Sequence, residues 1–382
     1  MSLLLLILSY ISDWIILAIF AAVGYVIGNI TPNKRPFNLG NPDINFPYKG
    51  YDTVTIAVAF VVSVVAPAVI IAIVILLLVP ILGTPGNTRA PKYNIWRRIL
   101  WEWHAGWLGL GLSVVLAFFF TSGMKNLFGK PRPNLLSRCQ PDVSKVAEYA
   151  VGFTISATGR LVSASICTNT DTSVIDDGFR SFPSGHSSAA ASGLVYLSLW
   201  LAAKLRVGVP FLLGGAIDEA ENSIKSHSHH ARAAANVDVI ADAPGDGAYN
   251  TAGLLTYSAR RQDAAAPIYL LVIVLIPLGT AIFICASRWY DFQHHGFDII
   301  VGFLMGVLSS ILAFKYYHLP MSRGAGFAWA PRSEKKAFWS GLGKGGFSDR
   351  RRFYRLSETD DGSHHATENQ SGDYESHQMH PV

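Results

Sequence analysis

The sequence predicts an all-α integral membrane protein with six transmembrane helices. Three observations carry that expectation. The composition is 50% hydrophobic and only 15% charged, outside the usual range for a soluble domain. Apolar residues gather in six long runs, at about 12–30, 54–82, 106–123, 186–203, 267–286 and 296–315, near the roughly 20 residues a helix needs to cross the ~30 Å hydrocarbon core. The ionisable residues with recognisable spacing stand at the ends of these runs, not inside them.

The first run has the apolar body of a signal peptide from Met1 to Ile11. No Lys or Arg precedes it, however, Asp13 interrupts it, and apolar sequence continues to Ile30, so a retained span is expected. Pro32, Pro36, Pro42 and Pro47 make 31–53 an irregular connector. The second run is longer than a span requires, which predicts tilt and a kink at Pro67. A basic segment, 83–102, leads into Trp101-Glu102-Trp103-His104, whose tryptophans fit an interfacial belt. The third run ends at Lys125, and 125–182 is the largest segment on that side of the membrane. After the fourth run, Asp218 to Gln262 is Ser-, Ala-, Asp-, Asn- and His-rich without apolar periodicity, which predicts a disordered insertion. The organisation is thus a membrane body over 1–320, interrupted at about 218–262, and a disordered tail over 321–382.

Charge distribution orients the body. An even number of spans puts both termini on one side. If that side is the cytosol, only eleven of the 31 Lys and Arg residues lie opposite it, three of them Lys125, Arg132 and Arg288. The positive-inside tendency therefore predicts cytosolic termini, with the non-cytosolic ends of spans three, four and six on the lumenal or extracellular face. Cys139 and Cys167 share the 125–182 segment on that face, where an oxidising compartment favours a bridge worth about 3–4 kcal/mol by the loop-entropy model. The alternative is two free thiols.

Three short motifs carry chemistry. In Lys125-Asn-Leu-Phe-Gly-Lys-Pro-Arg132-Pro133 the prolines fix Arg132 in a rigid turn, and Lys125 and Arg132 can reach one anion. Alone, this reads as cations meeting lipid headgroups. Pro183-Ser184-Gly185-His186 opens the fourth run: Ser184 is a helix cap, Gly185 allows close backbone approach, and His186 falls on the first turn. Ser287-Arg288 lies upstream of His294 and Asp298, whose spacing of four predicts one helix face and a carboxylate-oriented imidazole. His295 then points elsewhere and reads as a bystander. Together the motifs form an inventory for holding a phosphate and cleaving its ester.

The patterns Lys-x6-Arg-Pro, Pro-Ser-Gly-His and Ser-Arg-x5-His-x3-Asp resemble the signature of the type 2 phosphatidic acid phosphatase superfamily, and the layout is similar to fungal lipid phosphate phosphatases of the diacylglycerol pyrophosphate phosphatase kind. The resemblance covers about residues 10–320 and implies a Mg²⁺-independent phosphatase working through a phosphohistidine. It casts His294 as the nucleophile, Asp298 as its orienting group and His186 as the acid for the leaving group. Lys125, Arg132, Ser184, Gly185 and Arg288 would hold the phosphate. The implied partners are a lipid phosphate substrate and membrane lipid, with no nucleic acid, no metal and no cofactor. Phosphatidate, lysophosphatidate and diacylglycerol pyrophosphate are the expected substrates, with a sphingoid-base phosphate or a polyprenyl diphosphate as alternatives on the same scaffold. A transporter would line a central path with charge, which these runs lack.

Other features take plainer readings. His227, His229 and His230, like His364, His365, His377 and His380, lie in polar sequence without a fixed ligand frame. No sorting signal is legible, so vacuole, Golgi, endoplasmic reticulum and plasma membrane are equally compatible.

Overall fold

A computed structural model describes residues 2–82, 92–152, 160–205, 207, 266–318, 328, 329 and 332. Residues 7–330 form one compact unit, and the description below concerns it; the other unit comprises 1–6 and 331–382. The expected insertion at 218–262, the histidines within it and the tail histidines lie outside the described residues.

The described residues are mostly helical. Helix α1 covers Ser2–Gly28. Helix α2, Ile56–Phe60, is capped by the Thr55 side chain and passes through a π-turn, Val61–Val65, into α3, Ala66–Leu82. The irregularity expected at Pro67 is this π-turn. Proline has no N–H to offer the carbonyl four residues back, and the wider turn accommodates the loss. Helix α4, Lys92–Phe128, has 37 residues and is far longer than its apolar run. At 1.5 Å per residue it reaches about 55 Å, beyond the hydrocarbon core at one or both ends. It stops at Gly129, whose φ of +56° suits glycine and whose hydrogen faces the Asn33 carbonyl, where a Cβ would lie 1.5 Å from the oxygen.

Between α4 and the next long helix the chain builds a small lobe. It contains α5, Leu135–Cys139, and α6, Thr172–Gly178. Three two-residue strands join them: β1, Phe37–Asn38, β2, Ala150–Val151, and β3, Leu161–Val162. They pair antiparallel in the order β1-β3-β2, so the Pro-rich connector 31–53 and the segment 125–182 fold as one piece. Phe37, Ile44, Leu135, Val162, Ile166 and Phe179 form its core, and Cys139 is disulfide-bonded to Cys167.

Among the described residues, five helices are long and apolar enough to cross a membrane: Leu4–Gly28, Ile56–Leu78, Ile95–Phe128, Ile268–Tyr290 and Gly296–Tyr317. The last two are α9, Ile268–Tyr290, and α10, Gly296–Tyr317. The fourth predicted span does not join that set. It is helical from 185 to 204, as α7, Gly185–Ala190, a π-turn, Ala191–Val195, and α8, Tyr196–Lys204. Its residues are almost all buried by protein, including Ser187, Ser188, Ser192, Tyr196 and Trp200. A helix enclosed by other helices can carry Ser, Ala and Gly where a lipid-facing one needs bulky apolar side chains. The two π-turns meet there: a Cβ at Gly193 would lie 1.6 Å from the Ser63 carbonyl oxygen. Hydroxyls tie the neighbouring helices, with Ser113 and Ser310 both donating to the Ser192 carbonyl at 2.8 and 3.0 Å.

At the opposite end of the helices from the lobe, Lys204 pairs with Glu102 at 2.6 Å, both buried. Two residues of the expected tail dock beside them: Ala328 pairs with His318, and the Trp101 indole donates to the Trp329 carbonyl at 2.8 Å.

Candidate active site

The end of α4, the loop before α7, the end of α9 and the turn before α10 converge beneath the lobe. His294 stands in that last turn, where Phe292 takes a left-handed φ of +55°. The His294 Nδ1 lies 2.6 Å from the Ser181 carbonyl oxygen. A carbonyl only accepts, so the proton resides on Nδ1 and the lone pair on Nε2. Burial, reinforced by Arg132 and Lys125, holds the His294 pKa well below the ordinary imidazole value, and the ring is neutral at pH 7.

His186 falls on the first turn of α7. Its ring shares a hydrogen bond with the Val54 backbone, and its Nε2 is buried without a partner. Arg288, Lys125 and Arg132 are the charges it feels, and His294 feels His186 in turn, so the two imidazoles face one site. Lys125 ends α4 with its Nζ against Gly185, 3.4 Å from where a Cβ would stand. Ser184 caps α7 by accepting from the Ser187 amide, and its own amide donates to the Asp298 carbonyl at 3.0 Å.

The guanidinium groups are held by anions. Arg132 pairs with Asp177 at 2.7 Å and donates to the Gln293 side-chain oxygen, while its Nε is buried without a partner. Arg138 takes the other oxygen of Asp177 at 2.8 Å and the same Gln293 oxygen at 2.9 Å. Burial alone would raise the Asp177 pKa, but Arg132, Arg138 and Lys125 together hold it below the usual carboxylate range. Arg288, only 1% exposed, lies between Asp291 at 2.9 Å and Asp52 at 3.2 Å. Gln293 donates to the same Asp52 at 3.1 Å, which links the arginines through one amide.

Asp298 departs from expectation. Its carboxylate hydrogen-bonds other groups, and the His294 ring bonds the Ser181 carbonyl instead. Its Oδ2 accepts from the Ser181 hydroxyl at 2.6 Å and the His295 amide at 3.1 Å, and its Oδ1 pairs with Lys130 at 2.7 Å. The reason lies in the helix boundary. His295 is the N-cap, with extended φ and ψ of −76° and 158°, so His294 precedes the helix and the spacing of four is not helical. Asp298, at the third helical position, folds back to cap its own helix instead. His295 is correspondingly no bystander: its side chain completes the capping box and meets Asp298 at 3.2 Å.

The structure thus gathers Lys125, Arg132, Ser184, Gly185, His186, Arg288, His294 and Asp298 at one end of the helices. Sequence reasoning passed over Ser181, Lys130, Asp177, Arg138, Gln293, Asp52 and Asp291. Lys130, Gln293 and Asp291 stand inside the motifs as spacer positions, so a signal existed. Nothing in sequence marks Asp52 or Asp177, which arrive from separate loops.

The sequence profile of the PAP2 superfamily matches residues 106–219 and 247–321. Among curated proteins, the chain is 24% identical over 298 residues to Diacylglycerol pyrophosphate phosphatase 1 of Saccharomyces cerevisiae, covering 78% of this chain and 76% of that one. It is 24% identical to Probable diacylglycerol pyrophosphate phosphatase 1 of Schizosaccharomyces pombe, covering 81% and 82% respectively. It is 22% identical to Probable lipid phosphate phosphatase 4 of Arabidopsis thaliana, covering 85% and 77%. No solved structure matches. The profile spans the helices that deliver His186 and His294, and with its three motifs converging on one site the chain belongs to the PAP2 superfamily.

Proposed function

We propose that the protein is a Mg²⁺-independent lipid phosphate phosphatase that hydrolyses phosphatidate, lysophosphatidate or diacylglycerol pyrophosphate through a phosphohistidine. The observation that carries the reading is the Ser181 carbonyl on His294 Nδ1, which leaves Nε2 as a neutral nucleophile among three cations and a second imidazole. His294 Nε2 attacks phosphorus, and the N–P bond forms as the ester P–O bond breaks. The departing oxygen takes a proton from His186, whose protonated form a bound phosphate dianion favours. Water then attacks phosphorus and gives a proton back to His186, the P–N bond breaks, and inorganic phosphate leaves. Lys125, Arg132 and Arg288, with Ser184 and the Gly185 amide, stabilise the charge on the non-bridging oxygens. Asp298 acts through Ser181, His295 and Lys130 as a positioning residue. The names of the similar proteins supply the substrate class.

Six spans follow from the same reading, with 185–204 as the fourth. The end of α4, the start of α7, the end of α9 and the start of α10 all border the site, which fits alternating passes and one shared face. The Cys139–Cys167 bridge on that face agrees with an oxidising compartment, so the site is lumenal or extracellular and the termini cytosolic. The membrane body is 1–320, and the insertion near 218–262 and the tail are cytosolic.

The test is phosphate release by purified protein in mixed micelles with EDTA, from phosphatidate, diacylglycerol pyrophosphate and a sphingoid-base phosphate. His294→Ala is expected to lose at least about 1,000-fold in kcat and to form no acid-labile phosphoenzyme from ³²P-labelled lipid. Unaltered turnover in that variant, or strict dependence on Mg²⁺, refutes the assignment.

A further inference from the structure

Two of the cations expected to grip phosphate, Arg132 and Arg288, already pair with carboxylates of the protein. Asp177 spans two guanidinium groups, one oxygen 2.7 Å from Arg132 and the other 2.8 Å from Arg138. A phosphoryl group binding a pair of arginines uses the same arrangement, one anion with two oxygens on two planar donors. We infer that Asp177 is an internal anion that occupies the Arg132–Arg138 pair in the resting enzyme and is displaced when a phosphoryl group enters, so that phosphate binding is an exchange of one anion for another.

Three observations favour a displaceable carboxylate over a fixed strut. The Asp177 side chain is 40% exposed, whereas those of Arg132 and Arg138 are 8% and 3% exposed, so the carboxylate is the member that can leave toward water. Its departure strands neither arginine, because both keep the Gln293 oxygen and Arg138 keeps Asn134 at 2.8 Å and the Val174 carbonyl at 3.3 Å. The end of α6 also stays anchored without the Asp177 side chain: the Gly178 carbonyl accepts from the Arg132 amide at 2.8 Å, and Asp176 pairs with Lys34 at 2.7 Å. Meanwhile the buried Arg132 Nε has no partner among the described residues, so Asp177 does not satisfy every donor of the site. A group with more oxygens would.

The consequence for specificity rests on the phosphatase reading. A weak anion must compete with Asp177, while a dianionic phosphate monoester brings more charge and more acceptors than a carboxylate. Asp177 therefore discriminates against singly charged phosphodiester headgroups, which are the bulk phospholipids around the enzyme.

The sign of one substitution decides the matter. Full-length protein in detergent is titrated calorimetrically with inorganic phosphate and with orthovanadate, so that the readout does not require turnover. Asp177→Asn and Asp177→Ser, which remove the competing charge, are expected to bind both probes roughly three- to tenfold more tightly, the range for losing one partly exposed ion-pair competitor. Asp177→Glu, which keeps the charge, is expected to stay at or above the wild-type dissociation constant. A strut that merely orients the arginines gives the opposite result: binding unchanged or weaker in the neutral variants overturns the proposal. So does loss of folding in both neutral variants, judged by melting temperature. If the neutral variants tighten phosphate binding but the wild type releases no phosphate from any lipid, the anion exchange stands and the lipid-phosphatase reading falls.

Discussion

Replacing Ser181 separates two roles that meet at one residue. Its carbonyl fixes the His294 tautomer and its hydroxyl donates to Asp298. Ser181→Ala keeps the first and removes the second, a hydrogen bond to a charged, buried acceptor. The expected outcome is a fall in kcat of about tenfold with little change in KM, and a larger loss for Asp298→Asn, which also breaks the Lys130 pair. Had Asp298 bonded His294 directly, Ser181→Ala would leave the rate at the wild-type value, so steady-state kinetics on the two variants distinguishes the arrangements. Histidine burial also sets a pH dependence of stability. The His294 pKa lies well below its ordinary value, and burial, reinforced by Lys204, lowers that of His318 to about 3. The unfolded chain binds protons on these rings as pH falls through 6.5, whereas the native chain does not. Their contribution is therefore full above pH 6.5 and is lost as pH drops from there toward the folded values. Thermal melts are expected to show a falling melting temperature between pH 7 and pH 5, with a smaller fall in His318→Phe, which retains the stacking on Phe314.

At the scale of elements, the lobe and the paired π-turns are the parts that place the motifs. The lobe has short strands and a small core, and its disulfide closes a loop with a sequence separation of 28. The loop-entropy model puts the bridge at about 3.5 kcal/mol. Cys139→Ser with Cys167→Ser is expected to lower the melting temperature by several degrees and to loosen Arg132 and Asp177, read as a raised dissociation constant for orthovanadate. Gly193 governs how closely 185–204 approaches the second helix. Gly193→Ala drives a methyl into the Ser63 carbonyl, a backbone clash that costs about 1–3 kcal/mol where the helices cannot separate. Denaturation of that variant in detergent, by heat or by SDS titration, checks the direction and size.

For the whole molecule, the arrangement of spans makes a prediction about sidedness. A C-terminal epitope tag is expected to resist protease added outside sealed cells or to the lumen of organelles, and to be cleaved from the cytosolic side. Cleavage from the outside would invert the topology and with it the placement of the site. The motifs placed Lys125, Arg132, His186, Arg288 and His294 at run ends, where charge can sit beside a membrane, and the fold brings them to one end of the helices. The helix boundary before α10 was not legible. Whether His294 or His295 caps that helix decides which ring Asp298 meets, and both choices satisfy the same sequence pattern.

By itself, the sequence determined a helical membrane body and the run ends at which the candidate site residues stand, since bilayer thickness and apolar length are coupled along the chain. It also contained 186–203 as a run, but only packing revealed that protein surrounds the helix formed there. The tertiary structure alone decided the lobe that joins 31–53 to 125–182, the Ser181 carbonyl as the partner of His294, and Asp177 across two arginines. Those contacts unite residues from separate loops, and no periodicity or spacing within one segment records which distant segment will supply its hydrogen-bond partners.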